Sequence, residues 1–333
     1  MKARSASIDT LRFFAAGMVC FAHALPVAKI HIFIPEFILG RIGVVIFFMI
    51  SGYLIPVSLN EKNGGLKGFW IARFFRLYPM YWFSICLAIV FLNVRNPVDI
   101  ALNATMFQSF FGVKDAIGVY WTLVIEMLFY IYCSAMFYFK VLSSRKHVLG
   151  SFYLMLLVSF IFSAARLLIG KNIPVAIPLL FSVMFMGYAL KLKEREIISL
   201  KDISFMVMCF IITFPLISFM AYDGGQYGEF YIYIISYFIG IAIFMTFFKS
   251  NIKNKFTARL GEISYSMYLI HPIMLAITFR MGFFDGVNDA TLIIIYLSLI
   301  YIFSEIFFRI IESPSISLGQ KIKGIRTART IKS

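Results

Sequence analysis

Runs of about twenty mostly apolar residues, separated by short polar or basic stretches, recur from one end of the chain to the other. Windows long enough to cross about 30 Å of hydrocarbon fall at 8–27, 37–58, 74–93, 118–139, 148–169, 174–190, 203–221, 230–248, 260–279 and 290–311. None reads as the strict alternation of a half-buried strand. The pattern predicts an all-α polytopic membrane protein of about ten transmembrane helices.

Charge tests that count independently. The N-terminus, the stretches 59–73, 140–147, 191–202 and 249–259, and the residues after 312 carry 21 Lys and Arg, whereas the alternate loops carry Lys29, Arg95, Lys114 and Lys171. Basic loops stay on the cytoplasmic side, so the bias predicts both termini in the cytoplasm. Residues 1–312 read as the transmembrane domain and 313–333 as a basic cytoplasmic tail that anchors topology and touches anionic membrane lipid. The outer loops carry the acids instead: Glu36, Asp99, Asp115, Asp223, Glu229, Asp285 and Asp289. Lys2 and Arg4 before an apolar run superficially resemble a cleaved secretory signal, but Asp9 and Arg12 interrupt its core.

Composition agrees, with 61% hydrophobic residues, 14% charged and 39 Phe. The net charge of +15 lies in short loops rather than in a basic face interleaved with aromatics, which argues against a nucleic-acid partner. Cys20, Cys86, Cys133 and Cys209 fall in apolar runs without metal-ligand spacing, and read as packing residues rather than zinc ligands or disulfide partners. No metal site is expected.

Ionisable groups inside spans are costly and are functional candidates by default. Arg12 and His23 are eleven residues apart, about three helical turns and ~16 Å along one face. Glu126 in "WTLVIEMLFY" and His271 in "GEISYSMYLIHP" fall at similar depth, and Ser264, Tyr268 and His271 share a stripe at i, i+4, i+7. A carboxylate near an imidazole suits a general base in an apolar site, while a buried, satisfied histidine accounts equally for each His taken alone. Arg73 and Arg76, three apart at the expected start of the third helix, would add their charge to the amides of a helix terminus and hold an anion. Topology anchoring explains the same pair. No G-x-S-x-G elbow, H-E-x-x-H, P-loop or dinucleotide fingerprint occurs.

In their order, "IDTLRFFAAGMVCFAH", "GRIGVVIFFMISGYLI", "FWIARFFRLYPMYW", "WTLVIEMLFYI" and "GEISYSMYLIHP" resemble the integral-membrane acyltransferase-3 family from Ile8 to Pro272, extending to the segment at Glu312. The resemblance implies that His23 is catalytic, with Glu126 and His271, and that Arg12, Arg73 and Arg76 bind acetyl-CoA as acyl donor. It implies supporting or substrate-binding roles for Trp121, Ser264, Tyr268 and Ser51. Met127 stands where many members carry a second Glu, which leaves a paired-carboxylate role in doubt. Some relatives append a hydrolase-like domain; ending about twenty residues beyond the tenth helix, this chain is expected to act alone or with a separate partner. The bare layout is most similar to stand-alone O-acetylases of lipopolysaccharide O-antigen, including phage-borne serotype-converting ones. The resemblance therefore implies an O-acetyltransferase in the bacterial inner membrane with a lipid-linked or surface polysaccharide acceptor. Alternatives are a transporter or flippase of a lipid-linked sugar, and an acyltransferase acting on peptidoglycan or a small glycosylated metabolite. Oligomeric state is not encoded in these patterns.

Overall fold

A computed structural model describes residues 2–28, 36–222, 229–249, 255–281, 284 and 286–332. Of the loop charges read above, Lys29, Asp223, Lys253 and Asp285 lie outside the described residues. The described residues contain no strand. Among the described residues thirteen α-helices follow one another: α1 (Lys2–Val27), α2 (Glu36–Ser58), α3 (Gly65–Phe91), α4 (Pro97–Asn103), α5 (Tyr120–Tyr138), α6 (Arg145–Ile169), α7 (Ala176–Lys193), α8 (Leu200–Tyr222), α9 (Phe230–Lys249), α10 (Lys255–Glu262), α11 (Ser264–Phe279), α12 (Asp289–Phe307) and α13 (Ser313–Lys332). Among the described residues, nine helices are long and apolar enough to cross a membrane, and α10 with α11 makes a tenth if that bent pair is one span.

Three elements depart from the expected windows. The third begins at Gly65, nine residues before the expected 74, because the charges of its first turns hide helical backbone from a hydropathy window. Arg73 and Arg76 therefore lie two to three turns inside a continuous helix, where amides are already bonded to the preceding turn. The expected contribution of helix-terminal amides to anion binding is lost, and only the two guanidiniums remain. The ninth span breaks at Ile263 by 67°, where the Ser264 hydroxyl donates to the Gly261 carbonyl at 2.7 Å and diverts an acceptor of the helical ladder. The tenth runs on through a π-helical turn, Phe308–Glu312, into α13, so residues 313–332 are helical. A π-turn inserts an extra residue and reorients those around it; here Glu312 is buried, 1% exposed.

The chain forms two compact units. The first comprises Met1–Glu36, Leu59–Met127 and Ile252–Ser333. Within it α1 packs on α10, α11 and α12, and α3 packs on α11 and α13. A Cβ on Gly261 would lie 1.9 Å from the Asp9 carbonyl oxygen, so only glycine lets α10 come this close to α1. Tyr265 donates to the Leu77 carbonyl at 3.0 Å, and Tyr296 donates to the Cys20 carbonyl at 3.1 Å. These bonds tie α11 to α3 and α12 to α1 in a setting where stray polar groups are expensive. Ahead of α5, Asn103 is fully buried and bonds the Asp99 and Lys114 carbonyls and the Ala116 amide, so the loop enters the helix along a fixed path.

The second unit comprises Phe37–Ser58 and Leu128–Asn251. Its centre is α7, whose residues Pro178–Leu190 are all buried, as suits a helix apolar all round. A Cβ on Gly52 would meet the Met184 carbonyl at 1.8 Å, and one on Gly187 the Met49 carbonyl at 2.2 Å. Backbones of α2 and α7 thus touch through small residues, the usual means of helix association in lipid. Phe129 packs edge-on against Phe181 and Phe185. Tyr53 donates to Glu194 at 2.5 Å and Lys191 donates to the same carboxylate at 3.0 Å. Cys20 and Cys133 are buried, whereas Cys86 is exposed and does not act as interior packing.

Candidate functional site

Apart from Ser51, the candidate residues belong to the first unit. His23, on α1, and His271, on α11, have ring centroids 5.1 Å apart. His23 Nδ1 lies 2.8 Å from the Val19 carbonyl, and His271 Nδ1 lies 2.8 Å from the Tyr268 carbonyl. A carbonyl only accepts, so each Nδ1 carries a proton, which in an imidazole leaves Nε2 as the nitrogen able to bear the lone pair. The two rings differ in surroundings. His23 is exposed, while His271 is fully buried and its Nε2 has no hydrogen-bond partner among the described residues. An accessible imidazole with a main-chain-fixed tautomer has the form of a general base or nucleophile.

Tyr268 packs on this pair, its ring centroid 5.8 Å from that of His271. Its hydroxyl reaches Thr122 Oγ1 at 2.7 Å and donates to the Val119 carbonyl at 3.2 Å. Tyr268 thereby links the histidines to the first turn of α5, where Trp121 stands 39% exposed. The same turn is fastened from the loop by Asp115, whose carboxylate takes the Trp121 amide and the Gln108 side-chain amide at 2.5 Å. Burial pushes the Asp115 carboxyl above its ordinary 3.8, although both hydrogen bonds pull the other way.

Arg12 bonds Asp9 at 3.5 Å and lies within electrostatic reach of Arg76, Glu126 and Arg73. The Arg73 guanidinium rests 5.3 Å over the Phe69 ring. Glu312 Oε2 accepts from Ser266 Oγ at 2.8 Å, and its charge is felt by Arg76 and Arg12. The unit therefore holds an arginine cluster on α1 and α3, about three helical turns from the histidine pair along α1. Fixed guanidiniums in a low-dielectric setting suit a polyanion, above all phosphate.

The sequence-expected residues are distributed as follows. His23 and His271 form the imidazole pair, Tyr268 packs on His271, and Trp121 stands on the turn of α5 to which Tyr268 is bonded. Arg12, Arg73, Arg76 and Glu126 belong to the charged cluster. The hydrogen bond that fixes the His23 tautomer comes from Val19, so a contribution from Glu126 would act elsewhere on the ring or through Arg12. Ser264 gives its hydroxyl to the α10–α11 bend. Ser51 lies on α2, in the second unit. Thr122 and Glu312 fall within the segments that carry the resemblance, but the resemblance assigns neither a role; the bond between Thr122 and Tyr268 and the burial of the Glu312 carboxylate come from the packing. Among the described residues no group of three or more His, Cys, Asp or Glu could hold a metal ion.

Comparison with known proteins adds a separate line. A family model described as an acyltransferase domain matches residues 5–309. The chain is 28% identical over 340 residues to a Staphylococcus aureus (strain MRSA252) protein called "Putative O-acetyltransferase", covering 87% of this chain and 55% of that one. It is 28% identical over 157 residues to Nodulation protein 10 of Rhizobium leguminosarum bv. viciae, covering 38% of this chain and 42% of the other. It is 36% identical over 117 residues to a peptidoglycan O-acetyltransferase of Listeria monocytogenes, covering 28% and 19% respectively. The chain spans about half the length of the staphylococcal relatives it matches. No solved structure matches it.

Proposed function

The chain belongs to the acyltransferase-3 family, and from that premise we propose that it is a multi-pass O-acetyltransferase of the bacterial inner membrane. It moves an acetyl group from cytoplasmic acetyl-CoA to a sugar hydroxyl of O-antigen or another surface polysaccharide presented on the outer side. The observation that carries this reading is the accessible imidazole of His23, its Nδ1 held by Val19, on the same helix as an arginine that belongs to a cationic cluster.

In the proposed reaction Arg12, Arg73 and Arg76 hold the donor's phosphates and the thioester reaches toward His23. His23 Nε2 takes the proton of the acceptor hydroxyl as its oxygen attacks the thioester carbonyl. The carbon–sulfur bond then breaks, and the departing thiolate takes the proton back from the imidazolium. The products are the O-acetyl sugar and free CoA, with His23 restored. His271 and Tyr268 shape the wall behind the base, and Glu126 balances the positive charge of the cluster.

The test uses purified protein in lipid, labelled acetyl-CoA, and O-antigen, peptidoglycan or lipid-linked glycan as acceptors. Peptidoglycan is included because the Listeria relative is named for it. Free CoA and base-labile label on a glycan, both lost in His23→Ala, are the expected result. Labelled glycan crossing vesicles without acetylation would favour a flippase and sink the reading.

A further inference from the structure

We infer that residues 97–121 turn back beside α3 and build the subsite for the acceptor sugar. Asp115 takes a sugar hydroxyl, Trp121 takes a sugar face, and Gln108 holds the Asp115 carboxylate in place. This rests on the acyltransferase reading and extends it from the donor to the acceptor.

The depth of the segment follows from its bonds to α3. Tyr81 donates to the Asn103 carbonyl at 2.7 Å, Trp82 Nε1 to the Ala104 carbonyl at 2.9 Å and Tyr78 to the Thr105 carbonyl at 3.1 Å. These donors stand nine to thirteen residues before the end of α3 at Phe91, ~14–20 Å back along its axis. They all fall inside the apolar window expected for this span, 74–93. The first turn of α5 lies at the same level, where the Tyr120 hydroxyl is 2.6 Å from Ser84 Oγ and its ring centroid is 4.5 Å from that of Tyr81. The chain therefore leaves α3, comes back along it through α4, and enters α5 well short of the level it left. Irregular backbone at such depth is tolerated only inside protein or against a water-filled cavity. Asn103 and Gln108 are buried, while Ser109, Lys114 and Gly118 are exposed. An ammonium and bare glycine backbone turned to lipid would be expensive, so the exposed side lines an aqueous vestibule, open on the expected outer side.

The polar groups there serve a carboxylate at the expense of their own satisfaction. Gln108 Nε2 donates to Asp115 at 2.5 Å, and the Trp121 amide bonds the same carboxylate. Gln108 is fully buried, yet its Oε1 has no hydrogen-bond partner among the described residues. A buried acceptor without a donor costs stability, which a glutamine kept for packing alone would not incur. Asp115 itself is half-buried, and Trp121 is 39% exposed. A carboxylate with lone pairs to spare accepts hydroxyls, and an exposed indole covers the apolar face of a ring. Together they fit a sugar. From the same turn Thr122 reaches the Tyr268 hydroxyl at 2.7 Å, and Tyr268 packs on His271, whose ring meets that of His23. The subsite is thus joined to the imidazoles through one tyrosine.

The test follows acetyl transfer by the protein in lipid, using the glycan that wild type acetylates among O-antigen, peptidoglycan and lipid-linked glycan, and monodeoxy derivatives of its acceptor sugar. In Asp115→Ala the glycan KM should rise at least about tenfold, the scale of one hydrogen bond to a charged group, with the acetyl-CoA KM unchanged. One monodeoxy sugar that wild type uses poorly should be no worse than the parent for this variant, because the group that read the missing hydroxyl is gone. Gln108→Met should raise the glycan KM less and blunt the same discrimination, with kcat at saturating glycan near wild type. Unchanged glycan KM in both variants overturns the inference, as does a loss shared equally by every sugar and by acetyl-CoA, which marks the segment as a structural plug alone. Since either change can disturb the segment itself, Gly118→Cys gives a reading that leaves both side chains in place. Gly118 is exposed, with nothing within 4 Å of an added Cβ. With Cys86→Ala and Cys209→Ala, a membrane-impermeant maleimide outside right-side-out vesicles should label it, and the same glycan at saturation should slow the labelling. Equal rates with and without glycan, or no labelling from outside, overturn the inference. Failure of the wild type to acetylate any glycan would instead remove the reading on which the inference rests.

Discussion

At the scale of single residues, the chemistry turns on which ring nitrogen is free. Both histidines spend Nδ1 on carbonyls of their own helices, so each offers Nε2, but only His23 is exposed. His23→Ala is expected to lower acetyl transfer by about 10²–10⁴-fold, the span for loss of general acid–base catalysis. For His271 two replacements separate packing from chemistry. An Asn amide overlays Nδ1 and keeps the bond to Tyr268, whereas a Gln amide reaches the Nε2 position. His271→Asn should fold as wild type yet transfer acetyl more slowly than His271→Gln; equal rates would leave His271 as packing alone. Asp115 adds a pH effect. Its folded-state pKa is raised, so the folded chain holds this proton more tightly than the unfolded one. The associated stability is present below 3.8 and is lost as pH rises through the raised value, and Asp115→Asn should flatten that part of the melting curve. The spacing of Arg12 and His23 was legible because a helix converts sequence distance into direction and depth. The Val19 bond and the burial of Glu312 were not, since the first concerns main chain and the second depends on a π-turn that no side-chain pattern announces.

At the scale of elements, apolar runs located nearly every helix, and failed where the cause was not apolarity. The first turns of α3, which carry Lys67, fall short of the expected window, and the α10–α11 bend leaves no trace in an apolar pattern, because the Ser264 bond found there also occurs inside unbroken helices at Ser84 and Ser182. Glycine contacts were equally hidden, because a glycine that lets backbones touch reads like one facing open space. Gly52 and Gly187 sit against carbonyl groups of the opposing helix, while Gly17 and Gly150 have nothing within 4 Å of an added Cβ. Gly52→Ala and Gly187→Ala should therefore destabilise the second unit by at least the ~1–3 kcal/mol typical of overpacking. Gly17→Ala and Gly150→Ala should be neutral, or stabilising by up to about 1 kcal/mol. Thermal unfolding in detergent checks both pairs, and a Gly52→Ala protein that melts with wild type would mean that α2 and α7 do not pack backbone to backbone.

At the scale of the whole molecule, the division into units was not legible, because the first unit draws on three separate stretches of chain and the second on two. Sidedness is different, since it rests on loop charge rather than packing and yields a prediction of its own. Alkaline phosphatase fused after Arg95 or Lys171, in weakly basic loops, should be exported and active. Fused after Ser143 or Arg195, in strongly basic ones, it should stay inside and be inactive. Each successive site crosses the bilayer once, so a missed or surplus span would break the alternation at an identifiable loop. The outcome also bears on the chemistry. If that alternation holds, Arg73 lies about two turns in from the cytoplasmic end of α3, a donor from the cytosol would meet the arginines first, and His23 would lie about three turns further along α1 toward the outer side. An inverted pattern would turn the arginine cluster away from the only compartment that holds acetyl-CoA, and the proposed donor assignment of Arg12, Arg73 and Arg76 would fall with it.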